Sequence, residues 1–143
     1  MKSAVFALLC VVGVVACGPA APPAAVPPTS VGATLDQPFE LAVGGSAVVA
    51  GEALTIRFQE VPSDSRCPTG VQCVWAGNAV VRAVFSKDGK GFGAELNTNL
   101  DPKSVAYLTY QVALVSLAPY PSSTTPIPQS QYRATFVVTR TAP

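Results

Sequence analysis

From residue 39 onward the chain is a succession of short apolar runs with a two-residue period, each soon closed by glycine or proline. This patterning leaves room for little but an all-β fold. Successive side chains of a strand point to opposite faces. In residues 54–61, Leu54, Ile56 and Phe58 therefore share one face, and Thr55, Arg57 and Gln59 share the other. Comparable runs occupy 39–43, 46–50, 79–85, 92–96, 107–117 and 132–138. Asp88-Gly89 between two of them is a hairpin signal, and the Pro- and Ser-rich stretch 118–126 reads as a loop. No segment carries a 3.6-residue period, and fourteen prolines and eleven glycines work against long helices. About seven or eight strands are expected over one domain. The fold class they predict is all-β, a small antiparallel β-sandwich of Ig-like architecture.

The first residues are of another kind. Lys2 supplies one positive charge, and residues 4–16 follow with none. An apolar run of this length matches the core of a cleaved export signal and falls short of the roughly 20 residues a membrane-spanning helix needs. It ends Val14-Val15-Ala16-Cys17, which resembles the lipobox of bacterial lipoproteins. The resemblance implies diacylglycerol attached to Cys17 through a thioether, cleavage before that residue, and acylation of the new amino terminus. Two or three acyl chains make a stable anchor where one does not. Cys10 also follows two leucines, but cleavage there would leave an apolar core of about five residues, below the usual minimum. A plain cut after Ala16 with Cys17 left free is the alternative. Gly18 is not the aspartate that resembles an inner-membrane retention signal, so the outer membrane is favoured in a Gram-negative source.

Residues 18–33 hold five prolines and no charge. They cannot bury a core, and they favour extended polyproline II. The expected organisation is a signal peptide over 1–16, lipidated Cys17 with an Ala/Pro-rich tether over 17–34, and the sandwich over 35–143.

The net charge of +1 includes Lys2, so the chain from Cys17 is neutral and has no basic stripe of the kind that binds nucleic acid. There is no histidine, which removes the commonest general base and metal ligand together. No metal site, no cofactor-binding motif and no Ser-x-x-Lys or Gly-x-Ser-x-Gly nucleophile motif is present. Glu60 and Asp64 are the two acids nearest each other around the loop discussed next, and four residues across a strand end do not fix the separation that glycoside chemistry requires.

With Cys10 and Cys17 in the leader and at the lipid site, Cys67 and Cys73 remain, and in an oxidising compartment they are expected to pair. So short a loop is worth about 2–2.5 kcal/mol in the chain-entropy description. Trp75, the only tryptophan, lies two residues on. It is expected to pack on the disulfide as a core residue, or alternatively to form a wall of a ligand or partner surface. Asp64 is expected to order the loop through an Asx-turn, and Arg66 to pair with Glu60 or Asp64. Asp64, Arg66 and Trp75 together make a candidate binding loop. Tyr120, between Pro119 and Pro121, is a further contact candidate.

The segments Asp64-Ser65-Arg66-Cys67-Pro68 and Cys73-Val74-Trp75-Ala76-Gly77 resemble the DSRCP…CVWAG signature of a family of uncharacterised bacterial envelope proteins. Phe58-Gln59-Glu60-Val61 and Leu117-Ala118-Pro119-Tyr120-Pro121 fit the same family, so the resemblance covers most of residues 39–138. It implies an exported β-rich domain and no catalytic activity. The expected function is thus an envelope-anchored lipoprotein, held at the membrane by its N-terminal lipid. Its non-catalytic domain would bind an envelope protein or polymer through residues 62–78. The alternatives are a structural lipoprotein whose motif serves folding alone, and a cell-envelope hydrolase acting through Glu60 or Asp64.

Overall fold

The computed structural model describes residues 30–141. The expected signal peptide, Cys17 and the part of the expected tether up to residue 29 lie outside the described residues.

Among the described residues, nine strands form two sheets packed face to face. They are β1 (Ser30–Ala33), β2 (Phe39–Ala42), β3 (Ser46–Val49), β4 (Leu54–Asp64), β5 (Ala79–Lys87), β6 (Lys90–Asn97), β7 (Ser104–Tyr107), β8 (Tyr110–Ala118) and β9 (Arg133–Arg140). One sheet has the order β1-β3-β4-β5-β6 and the other β2-β9-β8-β7. The all-β sandwich expected from the patterning is thus present. Among the described residues the only helical element is a 3₁₀ turn, Gln129–Gln131.

The alternation in residues 54–61 does what a period of two requires. Leu54, Ile56 and Phe58 are fully buried, while Arg57 and Gln59 face solvent. β5 repeats the pattern with Ala79, Val81, Ala83 and Phe85 inward. From the second sheet β8 and β9 contribute Val112, Leu114, Ala134, Phe136 and Val138. The Phe58 and Phe136 rings meet edge to face across the interface, 6.2 Å between centroids. Such pairs add about 0.5–1.5 kcal/mol to the burial of their area.

Three departures from the sequence expectation have physical causes. First, β1 takes residues 30–33 from the segment read as tether. Its Ala33 is buried, and it pairs with β3 in parallel, so the folded part begins five residues before 35 and one strand pair is not antiparallel. Second, residues 107–117 are not one strand. Tyr107 pairs with Tyr110 around a two-residue turn, Leu108-Thr109, with Leu108 at φ 56°. Leucine tolerates that left-handed conformation poorly, which is why the turn has no sequence signal. Third, β4 runs on past Val61 to Asp64, through two register shifts against β5. The Asp88-Gly89 hairpin, by contrast, is a tight turn between Lys87 and Lys90 with both central residues at positive φ.

The registers place the connections β4–β5, β6–β7 and β8–β9 at one end of the sandwich. This loop end carries residues 64–68 and 73–77.

Candidate functional site

The loop end is assembled around one buried ion pair. At the last position of β4, the Asp64 carboxylate accepts from the Arg66 backbone N–H (3.1 Å) and Nε (2.9 Å) through Oδ1. Oδ2 accepts from Arg66 Nη2 (2.6 Å) and the Tyr132 hydroxyl (2.9 Å). The backbone bond closes the expected Asx-turn, and the two side-chain bonds make the planar fork-to-fork pairing that arginine favours. The Arg66 guanidinium then reaches 51 residues along the chain, donating from Nη1 to the Leu117 carbonyl (2.7 Å) and from Nη2 to the Pro119 carbonyl (2.9 Å). It also lies 5.2 Å from the centre of the Tyr120 ring. Arg66 is the single buried charged residue of the described chain, 5% exposed.

Of the two partners the sequence offered Arg66, the structure therefore selects Asp64. Glu60 pairs instead with Arg82, which also meets Glu95 at 2.6 Å. Burial is the largest single influence on Asp64 and opposes its ionisation. The hydrogen bonds from the Arg66 side chain and backbone and from Tyr132 outweigh it and hold the carboxyl below its ordinary value. Tyr132 responds oppositely: burial, then the hydrogen bond to Asp64 and that residue's negative charge, push its hydroxyl up to about 12.

Cys67 and Cys73 are bonded, the pairing expected from the sequence. The bridge closes a loop pinned on both sides. The Cys67 N–H donates to the Ala76 carbonyl (2.9 Å), and the Thr69 N–H donates to the Pro121 carbonyl of the β8–β9 loop (2.9 Å). Gly77 is indispensable here, since at φ +72° a Cβ would lie 1.8 Å from the Ser65 carbonyl oxygen. Asn78 ties the same loop to the β6–β7 connection, donating to Asn97 Oδ1 (2.8 Å) and accepting the Asn99 backbone N–H (3.0 Å). A third fastening is Gln129. Its side-chain amide exchanges hydrogen bonds with the Val61 backbone (3.0 and 2.7 Å), replacing a neighbouring strand where β4 runs beyond β3.

Trp75 reverses the expectation of core packing. It is 82% exposed, its neighbour Val74 is 89% exposed, and Cys73 beside them is exposed as well. The sandwich core is filled by phenylalanines, tyrosines and aliphatic residues, and Cys73 lies exposed outside it. Val71, Leu100 and Tyr120 are further large apolar side chains exposed at this end.

Beside the ion pair lies an open groove of about 390 Å³. Asp64, Arg66 and Tyr132 line it together with hydroxyl-bearing Ser63, Thr124 and Thr125.

No family model, curated protein or solved structure matches the chain.

The site residues named from the sequence thus divide into two groups. Asp64 and Arg66 form an internal clamp whose bonding capacity is spent on the protein itself, while Trp75 is presented outward. Tyr132, Asn78 and Gln129 complete the clamp and carried no signal of their own. A tyrosine or amide acquires such a role from what the fold brings opposite it, 68 residues away for both Tyr132 and Gln129. Among the described residues no cluster of three or more Cys, Asp or Glu could hold a metal ion.

Proposed function

We propose that this chain is an envelope lipoprotein, held by acyl chains on Cys17, whose sandwich is a non-catalytic binding module acting at its loop end. The observation that carries the reading is the preformed groove beside the Asp64–Arg66 pair. Its two flanking loops are fixed to one another by the guanidinium, by the Thr69–Pro121 backbone bond and by Gln129. Such pre-organisation lowers the entropy a binding surface loses on association. The groove's only charged lining residues neutralise one another, so it suits an uncharged extended segment of an envelope protein or polymer. Glu60 and Asp64, the two candidate acids, are each committed to a different arginine, which favours binding over hydrolysis.

Because alanine at Asp64 or Arg66 would damage the fold, the informative variant is Thr124→Arg, at an exposed groove wall. In the native envelope, chemical cross-linking and purification should capture a partner with the unaltered lipoprotein. The Thr124→Arg protein should lose that partner while keeping its melting temperature. Equal capture by both proteins, or capture of nothing by either, contradicts the reading.

A further inference from the structure

The groove leaves the most exposed large apolar side chains among the described residues unexplained. Val74 and Trp75 line no part of it, yet they stand almost wholly in solvent on a loop braced by a disulfide. Residues 67–78, which make up that loop, contain no charged side chain, and neither do residues 117–132 beside it.

The direction of β1 bears on what covers them. β1 pairs in parallel with β3, Ser30 opposite Ser46, and Ser46 lies opposite Arg57 of β4. β4 runs from there toward the loop end, and β1 runs away from it. The backbone therefore enters the sandwich at Ser30 from the side of the loop end. Seven residues of β4 separate Arg57 from Asp64, about 23 Å at strand spacing. The thirteen residue steps from Cys17 to Ser30 reach about 40 Å even as fully extended polyproline II. On the lipoprotein reading, a bilayer on the side from which the chain enters, beyond the loop end, is within that reach. A bilayer met on that side lies within about 17 Å of Asp64, and the 67–78 loop is carried at that end.

We infer that the Val74–Trp75 tip is a second membrane contact, seated in the interfacial region of the same bilayer that holds the Cys17 lipid. Tryptophan prefers that region because its ring is largely apolar and its indole N–H keeps a polar partner. The absence of charge on the loop removes the chief cost of entering it. Irregular backbone cannot sit in hydrocarbon, so the contact is limited to side-chain depth. The tip thereby fixes the orientation of the sandwich relative to the membrane, which a single point of attachment cannot do. The inference rests on the lipid anchor at Cys17 and does not depend on what occupies the groove.

Because Trp75 is the only tryptophan, its fluorescence reports on the tip alone. The full mature lipoprotein, its acyl mass verified, is reconstituted into phosphatidylethanolamine/phosphatidylglycerol vesicles containing brominated lipids. The expected result is blue-shifted Trp75 emission quenched most by bromines near the headgroups. Val74→Asp should abolish both effects, with the melting temperature unchanged. Solvent-like, unquenched emission from the lipidated protein overturns the membrane contact while leaving the anchor standing. Quenching lost only when an envelope protein is added also supports it, whereas a blue shift that needs such a protein and no lipid overturns it in favour of a protein occupant. A chain without acyl mass overturns the anchor and the contact together.

Discussion

Replacing Arg66 by alanine removes four hydrogen bonds from the guanidinium and leaves Asp64 without its counter-ion. Removing one partner of a buried ion pair costs about 3–5 kcal/mol. The Leu117 and Pro119 carbonyls each lose a donor, worth about 1–3 kcal/mol where no water replaces it. The adjoining groove admits water to part of this site, so the losses do not simply add, and the expected destabilisation is about 3–5 kcal/mol. That is a large share of the roughly 5–15 kcal/mol available to a domain of this kind. Arg66→Lys keeps the charge but not the planar fork, and should lose about half as much. Urea unfolding followed by far-UV circular dichroism, extrapolated linearly to water, measures both. A loss below about 1 kcal/mol for Arg66→Ala would place the pair among ordinary surface salt bridges and refute the clamp.

Other consequences follow from the same geometry. Serine at both Cys67 and Cys73 should lower stability by about 2–2.5 kcal/mol in the same urea assay, the value of closing so short a loop; no change would mean that the loop is held without the bridge. Gly77→Ala must displace the Ser65 carbonyl and should cost well over about 1 kcal/mol. Gly70→Ala has a similar positive φ but open space around it, so it should cost less; equal losses would show that backbone strain alone matters at Gly77. Trp75→Ala should stay within about 0.5 kcal/mol, where a core tryptophan would cost about 3–5. Asp64, whose carboxyl is held below its ordinary value, stabilises the fold above pH of about 4 and ceases to as pH falls through the depressed value. Tyr132, pushed up to about 12, stabilises below the ordinary 10.0 and ceases to as pH rises toward 12. Melting temperatures across pH should accordingly show a flatter acid limb for Asp64→Asn and a flatter alkaline limb for Tyr132→Phe, and limbs identical to the unaltered protein's would contradict both assignments.

The sheet-forming runs were legible because burial on one face imposes a period of two that needs no knowledge of the partner strand. The loops were legible only where local chemistry decides them. Asp88-Gly89 is suited to positive φ at both positions, so its hairpin is written in the dipeptide, whereas Leu108-Thr109 turns because Tyr107 and Tyr110 are fixed by their sheet neighbours. β1 was hidden because Ser30–Ala33 follows the proline-rich run and gains its place from an edge that only the folded β3 provides. At the site, the Asx-turn of Asp64 and its bond to Arg66 are contacts within two residues, and short-range reasoning reached them. The bonds from Arg66 to Leu117 and Pro119, and those from Tyr132 and Gln129, span 51 to 68 residues and depend on how the two sheets stack. The outward position of Trp75 has the same origin, since proximity to a cysteine in sequence says nothing about which side of the disulfide the core lies on.

The claim on which both the location and the membrane contact depend is the lipid on Cys17. Intact-mass spectrometry of the chain extracted from its own membranes tests it most directly. The expected result is a protein that begins at Cys17 and carries the mass of a diacylglyceryl group together with an amide-linked acyl chain. A chain that begins at Cys17 with no added mass, or one that retains residues 1–16, would contradict it.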